Sequence, residues 1–115
     1  MDDYSLPLAN QTAVVTGASS GIGEAIATTF AKQGANLIIH ANTNQAGLEA
    51  TAADIRDLGR DVTLLYADLA SEEAQASLVE QAFQANEQIN IWVNNAGRDV
   101  LTGDAADWSF EQKLA

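Results

Sequence analysis

The segment Thr16-Gly17-Ala18-Ser19-Ser20-Gly21-Ile22-Gly23 follows an apolar run, Ala13-Val14-Val15, and opens a stretch with helical periodicity. A strand that turns on glycine into a helix leaves the helix's first amides without intrahelical acceptors, and the small residues let a ligand approach them. The chain is thereby restricted to folds in which a strand turns directly into a helix whose N-terminus is open to a phosphate, and every other element must fit around that unit.

The spacing Gly17, Gly21, Gly23 is looser than the GxGxxG fingerprint, with three residues between the first two glycines. Gly17 suits the turn out of the strand, Gly21 the close approach of a pyrophosphate, and Gly23 the packing of the new helix near the sheet. Ser19 and Ser20 add hydroxyls suited to phosphate or ribose oxygens. No lysine follows Gly23, so the Walker arrangement is not met and kinase or NTPase chemistry is disfavoured. Glycines so placed also serve a plain strand–helix turn; the strand before and the helix after favour the nucleotide reading.

The rest of the chain alternates short apolar runs with longer helical ones, the pattern of a parallel sheet covered on both faces. Strands are expected at about Thr12–Thr16, Asn36–His40, Asp61–Tyr66 and Ile89–Val93. Helices are expected at about Gly21–Gln33, from the Asn42-Thr43-Asn44 cap to Leu58, and after a Ser71 cap. Ile22, Ile26 and Phe30 recur on one face of the first helix; Leu48, Ala52 and Ile55 mark the second; Leu78, Val79, Ala82 and Phe83 are read as the inward residues of the third. Gly34 and Gly59 end the first two helices. A last helix is expected to start near Trp108, capped by Asp107. The reading is one α/β domain over residues 1–115.

Composition narrows the partners. Hydrophobic residues make up 47% of the chain and charged ones 18%, an ordinary globular balance. Sixteen acidic against five basic residues give a net charge of −11, which repels a nucleic-acid backbone, while a helix N-terminus still attracts a dinucleotide locally. There is no cysteine for a disulfide, thiolate metal site or thiol nucleophile, and one histidine, His40, makes no metal cluster. No stretch approaches the roughly 20 apolar residues of a membrane span, and the acidic start, Asp2-Asp3, is unlike a signal peptide, so a cytoplasmic location is expected.

Together, the Thr16–Gly23 segment, Asp68-Leu69 after the third strand and Asn94-Asn95-Ala96-Gly97 after the fourth resemble the short-chain dehydrogenase/reductase family from about Leu8 onward. The resemblance implies a doubly wound (Rossmann) parallel sheet of order 3-2-1-4, ending before the second half of the fold. It implies a nicotinamide dinucleotide, NAD or NADP, and hydride transfer between it and a carbonyl or alcohol substrate. The cofactor-binding residues it implies are Gly17, Ser19, Ser20, Gly21, Ile22, Gly23, Asn42, Asp68, Leu69, Asn95, Ala96 and Gly97. In that family the equivalent of Asp68 contacts adenine, Asn95 braces the central strands, and Ala96-Gly97 line the ribose. Taken alone, Asp68 is also a solvated strand-end carboxylate and the asparagines are turn formers.

At the end of the second strand, His40-Ala41-Asn42-Thr43-Asn44 supplies neither the carboxylate that holds the ribose hydroxyls of NAD nor the arginine that accommodates a 2′-phosphate. Without a carboxylate to repel that phosphate, and with Asn42, Thr43 and the serine pair as donors, NADP is favoured. His40 reads as a strand-end residue near the adenine pocket, since no partner for it is visible. The family's catalytic serine, YxxxK pair and helix-four asparagine are not assignable: Tyr4 and Tyr66 have no lysine four residues on, and Lys32 and Lys113 have no tyrosine four residues back. The chain alone is therefore expected not to turn over, and self-association through an apolar fourth-strand edge, with Trp92, Trp108 and Phe110, is expected. A non-catalytic nucleotide-binding or self-assembling module is the alternative; a methyltransferase with a similar loop is disfavoured by Asn94–Gly97.

Overall fold

The computed structural model describes residues 6–96. Elements run β1 (Thr12–Val15), α1 (Gly21–Lys32), β2 (Asn36–Ala41), α2 (Gln45–Asp57), β3 (Val62–Tyr66), α3 (Glu72–Ala85) and β4 (Ile91–Val93). The four strands form one parallel sheet in the order β3-β2-β1-β4. The alternation of elements predicts the parallel sheet, and its order is the doubly wound one that the family resemblance implies.

Two apolar layers follow from the two-residue period of the strands. Ala13, Val15, Leu37 and Ile39 face α1 and α2, packing against Ala27, Ala31, Leu48, Ala52 and Ile55. Val14 and Ile38 face the other way, toward Ala82 of α3. The handedness of parallel crossovers explains the split: the chain steps one way from β1 to β3 with its helices on one face, then returns to β4 beyond β1 and lays α3 on the opposite face. β1 is buried along its whole length, which is why Ala13-Val14-Val15 is a continuous apolar run.

Several boundaries and faces differ from expectation. β4 begins at Ile91 rather than Ile89, because the Thr12 amide donates to the side-chain Oδ1 of Asn90 at 2.9 Å instead of a strand carbonyl. β2 continues one residue further, to Ala41, and β1 stops at Val15 with Thr16 already turning. The buried face of α1 is Gly23, Ala27 and Ala31. Ile22 is 72% exposed, and Ile26 and Phe30 pack only at the core's margin. Small residues bring α1 close to the sheet, and the Ile22 row, one residue or about 100° around the helix, is turned aside. On α3 only Leu78 and Ala82 are buried; Val79 and Phe83 remain 44% and 45% exposed because no other described element lies over them. The helix expected near Trp108 and the Asp107 cap lie outside the described residues.

Candidate functional site

The site forms at the carboxyl ends of the strands, where β1 leads into α1. Gly17 and Gly21 both have positive φ, 63° and 61°. A Cβ on Gly17 would press on the Ala96 backbone at 3.0 Å, whereas one on Gly21 would meet open space. Gly21 is thus required for its backbone angle, and the volume in front of it is free for a ligand. Gly23 is required for contact: a Cβ there would run into the carbonyl of Gly17 and lie 2.6 Å from Nδ2 of Asn95.

Asparagine and threonine side chains lock this turn. Nδ2 of Asn95 donates to the Gly17 carbonyl at 3.0 Å. Oγ1 of Thr16 accepts the Asn95 amide at 2.9 Å and the Ala96 amide at 3.1 Å. The glycine turn and the segment after β4 are therefore a single hydrogen-bonded unit. On the far side, Oγ1 of Thr51 in α2 donates to the Ala18 carbonyl at 3.0 Å. Gly47 of the same helix lies so close that a Cβ would stand 2.6 Å from the Ser19 carbonyl.

The helix ends differ in a way that matters chemically. Asn44 caps α2 by accepting the Gly47 amide, and Ser71 caps α3 by accepting the Ala74 amide. Ser20 makes no side-chain cap for α1. The amides of Gly21, Ile22 and Gly23 therefore precede the first intrahelical bond, from Glu24 to the Ser20 carbonyl, and point outward with the positive end of the helix dipole. Anionic oxygens are the natural partners of such amides.

His40 proves to be part of this architecture, a role its sequence position did not reveal. The residue is 2% exposed. Nδ1 accepts the Gly17 amide at 3.1 Å, and Nε2 lies 2.8 Å from the Ala67 carbonyl. A carbonyl only accepts and an amide only donates, so Nε2 carries the proton and Nδ1 is bare. Burial holds the ring's pKa below its ordinary 6.5, while the bond to Ala67 draws it partly back.

Of the residues expected at the site, Gly17, Ser19, Ser20, Gly21, Ile22 and Gly23 form the loop and helix start, and Asn95 and Ala96 are bonded against it. Asn42 lies exposed just beyond β2. Asp68 lies exposed just beyond β3, its Oδ1 accepting the Ala70 amide at 3.0 Å, and Leu69 gives its carbonyl to Nε2 of Gln75. These three share the carboxyl edge of the sheet with the loop without a hydrogen bond to it. Gly97 lies outside the described residues. The loop sits where the strand order reverses, with β1 leading to β2 on one side and pairing with β4 on the other, the place at which doubly wound sheets take ligands.

The family model for short chain dehydrogenases matches residues 11–113. The chain belongs to the short-chain dehydrogenase family. Among its relatives, glucose 1-dehydrogenase 2 of Bacillus subtilis is 33% identical over 104 residues, which cover 90% of this chain and 40% of that protein. The 3beta-hydroxysteroid dehydrogenase 1 of Eggerthella lenta is 33% identical over 95 residues, covering 83% of this chain and 36% of its own length. The crystal structure of carveol dehydrogenase from Mycobacterium avium in complex with NAD superposes with a TM-score of 0.73 at 26% identity, covering 81% of this chain and 38% of that one. The chain thus spans 40% or less of the length of these family members. No helix among the described residues is long and apolar enough to cross a membrane.

Proposed function

We propose that this chain is the dinucleotide-binding part of an NAD(P)-dependent oxidoreductase that moves hydride between a nicotinamide and a carbonyl or alcohol. The observation that carries the reading is the uncapped start of α1, held at the strand-order reversal by Asn95 and Thr16. The amides of Gly21, Ile22 and Gly23 fit a diphosphate, because they point outward, lack intrahelical acceptors and face open space at Gly21. Ser19 and Ser20 lie in the same loop, Ala96 is bonded against it, and Asp68, Leu69 and Asn42 stand along the sheet edge on which the adenosine half would lie. Gly97 continues the Asn94–Ala96 segment and is assigned to the ribose with it.

Bound there, the dinucleotide supplies the hydride that a carbonyl accepts or receives the one an alcohol gives up. This chain's own contribution is to bind and orient. The reaction also needs a proton exchanged with the substrate oxygen, and the 115 residues contain no tyrosine with a lysine four positions on. Binding without turnover is therefore the activity assigned to the chain by itself. NADP is favoured over NAD because Ala41-Asn42-Thr43-Asn44 places no carboxylate against a 2′-phosphate.

Calorimetric titration of the chain with NADPH and NADH tests this. Saturable binding, tighter for NADPH and competed by inorganic pyrophosphate, is expected. No heat from either cofactor with folded protein overturns the reading, and tighter NADH binding overturns the preference.

A further inference from the structure

We propose that His40 is a positioning residue for the diphosphate site, its neutral ring fixing the Gly17 amide so that the amides at the start of α1 face the ligand. The inference rests on the dinucleotide reading above. Two consecutive amides of the loop are drawn to this one residue: that of Gly17 by the ring nitrogen at 3.1 Å, and that of Ala18 by the backbone carbonyl of His40 at 2.8 Å. Both point into the sheet, away from any anion. With these two anchored, and the Gly17 carbonyl held by Asn95, the peptide planes on both sides of Gly17 are fixed, and the amides from Gly21 to Gly23 follow at the uncapped start of α1.

The ring also ties this turn to the exit of β3. Its Nε2–H donates to the carbonyl of Ala67, the residue before Asp68. One rigid, buried group thus joins the ends of β1, β2 and β3, and it does so by presenting an acceptor on one nitrogen and a donor on the other. Protonation destroys that pairing, because a proton on Nδ1 would face the Gly17 amide donor to donor. The ring lies on the α3 side of the sheet, as Ile38 does two residues earlier. The ionisable groups on the elements around it are Tyr66 at the end of β3, Asp68 beyond it, and Glu72, Glu73 and Glu80 on α3, with Glu24 and Lys32 on α1 and Glu49, Asp54, Arg56 and Asp57 on α2, all exposed except the half-buried Glu24. Burial of the ring opposes an imidazolium, and the bond to the Ala67 carbonyl only partly offsets that.

The chain has a single histidine, so its ring nitrogens give unambiguous NMR signals. The test combines 15N spectra of the ring with NADPH titrations of wild type, His40→Leu and His40→Asn, whose Oδ1 takes the place of Nδ1. The expected results are an Nε2–H tautomer and a Gly17 amide shift that follows the ring's titration. NADPH affinity should fall about tenfold in His40→Leu, the worth of one hydrogen bond, and stay within about threefold of wild type in His40→Asn. In wild type it should weaken as the ring protonates, a loss missing from His40→Asn. An Nδ1–H tautomer, or His40→Leu binding as tightly as wild type, overturns the positioning role alone. Should His40→Leu not fold, an identical pH profile for wild type and His40→Asn overturns it. A wild-type chain that binds neither nicotinamide form overturns the dinucleotide reading and this role together.

Discussion

Nδ2 of Asn95 reaches across from the end of β4 to the carbonyl of Gly17 at 3.0 Å, joining two segments 78 residues apart in sequence. That carbonyl is also the atom a side chain on Gly23 would strike. One peptide oxygen therefore sets both how β4 meets the glycine turn and how closely α1 lies on the sheet.

Replacing Asn95 with alanine removes the donor and leaves the Gly17 carbonyl half-buried beside it. A loss of about 1 kcal/mol in stability is expected, with NADPH affinity down about fivefold because the turn loses one of its anchors. Urea unfolding and calorimetric titration measure the two effects; an unchanged affinity would show that the turn holds its shape without Asn95.

Gly21→Ala and Gly23→Ala should separate backbone angle from contact. At Gly23 alanine gains helix propensity of about 1 kcal/mol, but its methyl meets a carbonyl already held by Asn95, so a net loss of about 1–3 kcal/mol is expected. At Gly21 the methyl enters open space and the cost is the left-handed angle, about 1 kcal/mol, while NADPH binding falls more steeply because the methyl occupies the ligand's approach. Thermal melts paired with titrations decide the matter: a Gly23→Ala protein as stable as wild type refutes the contact argument.

Thr16 was legible only as part of the glycine motif, yet its hydroxyl oxygen accepts two amides from the segment after β4. Thr16→Val keeps the shape and deletes that acceptor, for an expected loss of about 2 kcal/mol, and Thr16→Ser should recover most of it. If serine and valine destabilise equally in urea, packing by the methyl group and not the hydroxyl sustains the site.

The alternation of strands and helices and the Thr16–Gly23 loop-to-helix start could be read from local chemistry, apolar runs, glycine spacing and turn residues, whereas the sheet order and the place of the asparagine segment came from the family resemblance. What escaped notice depends on the partner across space. His40 looked unpartnered because the amide that donates to it and the carbonyl that accepts from it sit 23 and 27 residues away, just beyond the ends of two different strands. Asn90 looked like strand because nothing local says that its side chain replaces a backbone carbonyl. Ile22 looked like core because a period of four does not reveal that the neighbouring Gly23-Ala27-Ala31 row lets the helix approach more closely.

Stability should rise with pH through the titration of His40. The folded ring has a pKa below the ordinary 6.5, so between those two values the unfolded chain binds more proton than the folded one. Stability is then complete above about 6.5 and is lost as pH falls toward the folded value, where the loss levels off. Carboxylates titrate nearby, so the measured quantity is the difference in urea midpoint between wild type and His40→Asn from pH 7.5 to 5. A constant difference would mean that the ring takes up its proton equally readily in both states.

The net charge of −11 gives a prediction opposite in sign to that for a basic nucleotide-binding surface. The uncapped amides of α1 act on the diphosphate at contact range, whereas the acidic surface repels the anionic dinucleotide over longer distances. Raising ionic strength from 0.01 to 0.15 M shortens the screening length from about 30 to about 8 Å, which suppresses the repulsion while leaving the contact nearly intact. NADPH affinity should therefore increase severalfold with sodium chloride over that range. A steady decrease would mean that surface cations, and not the helix start, hold the phosphates.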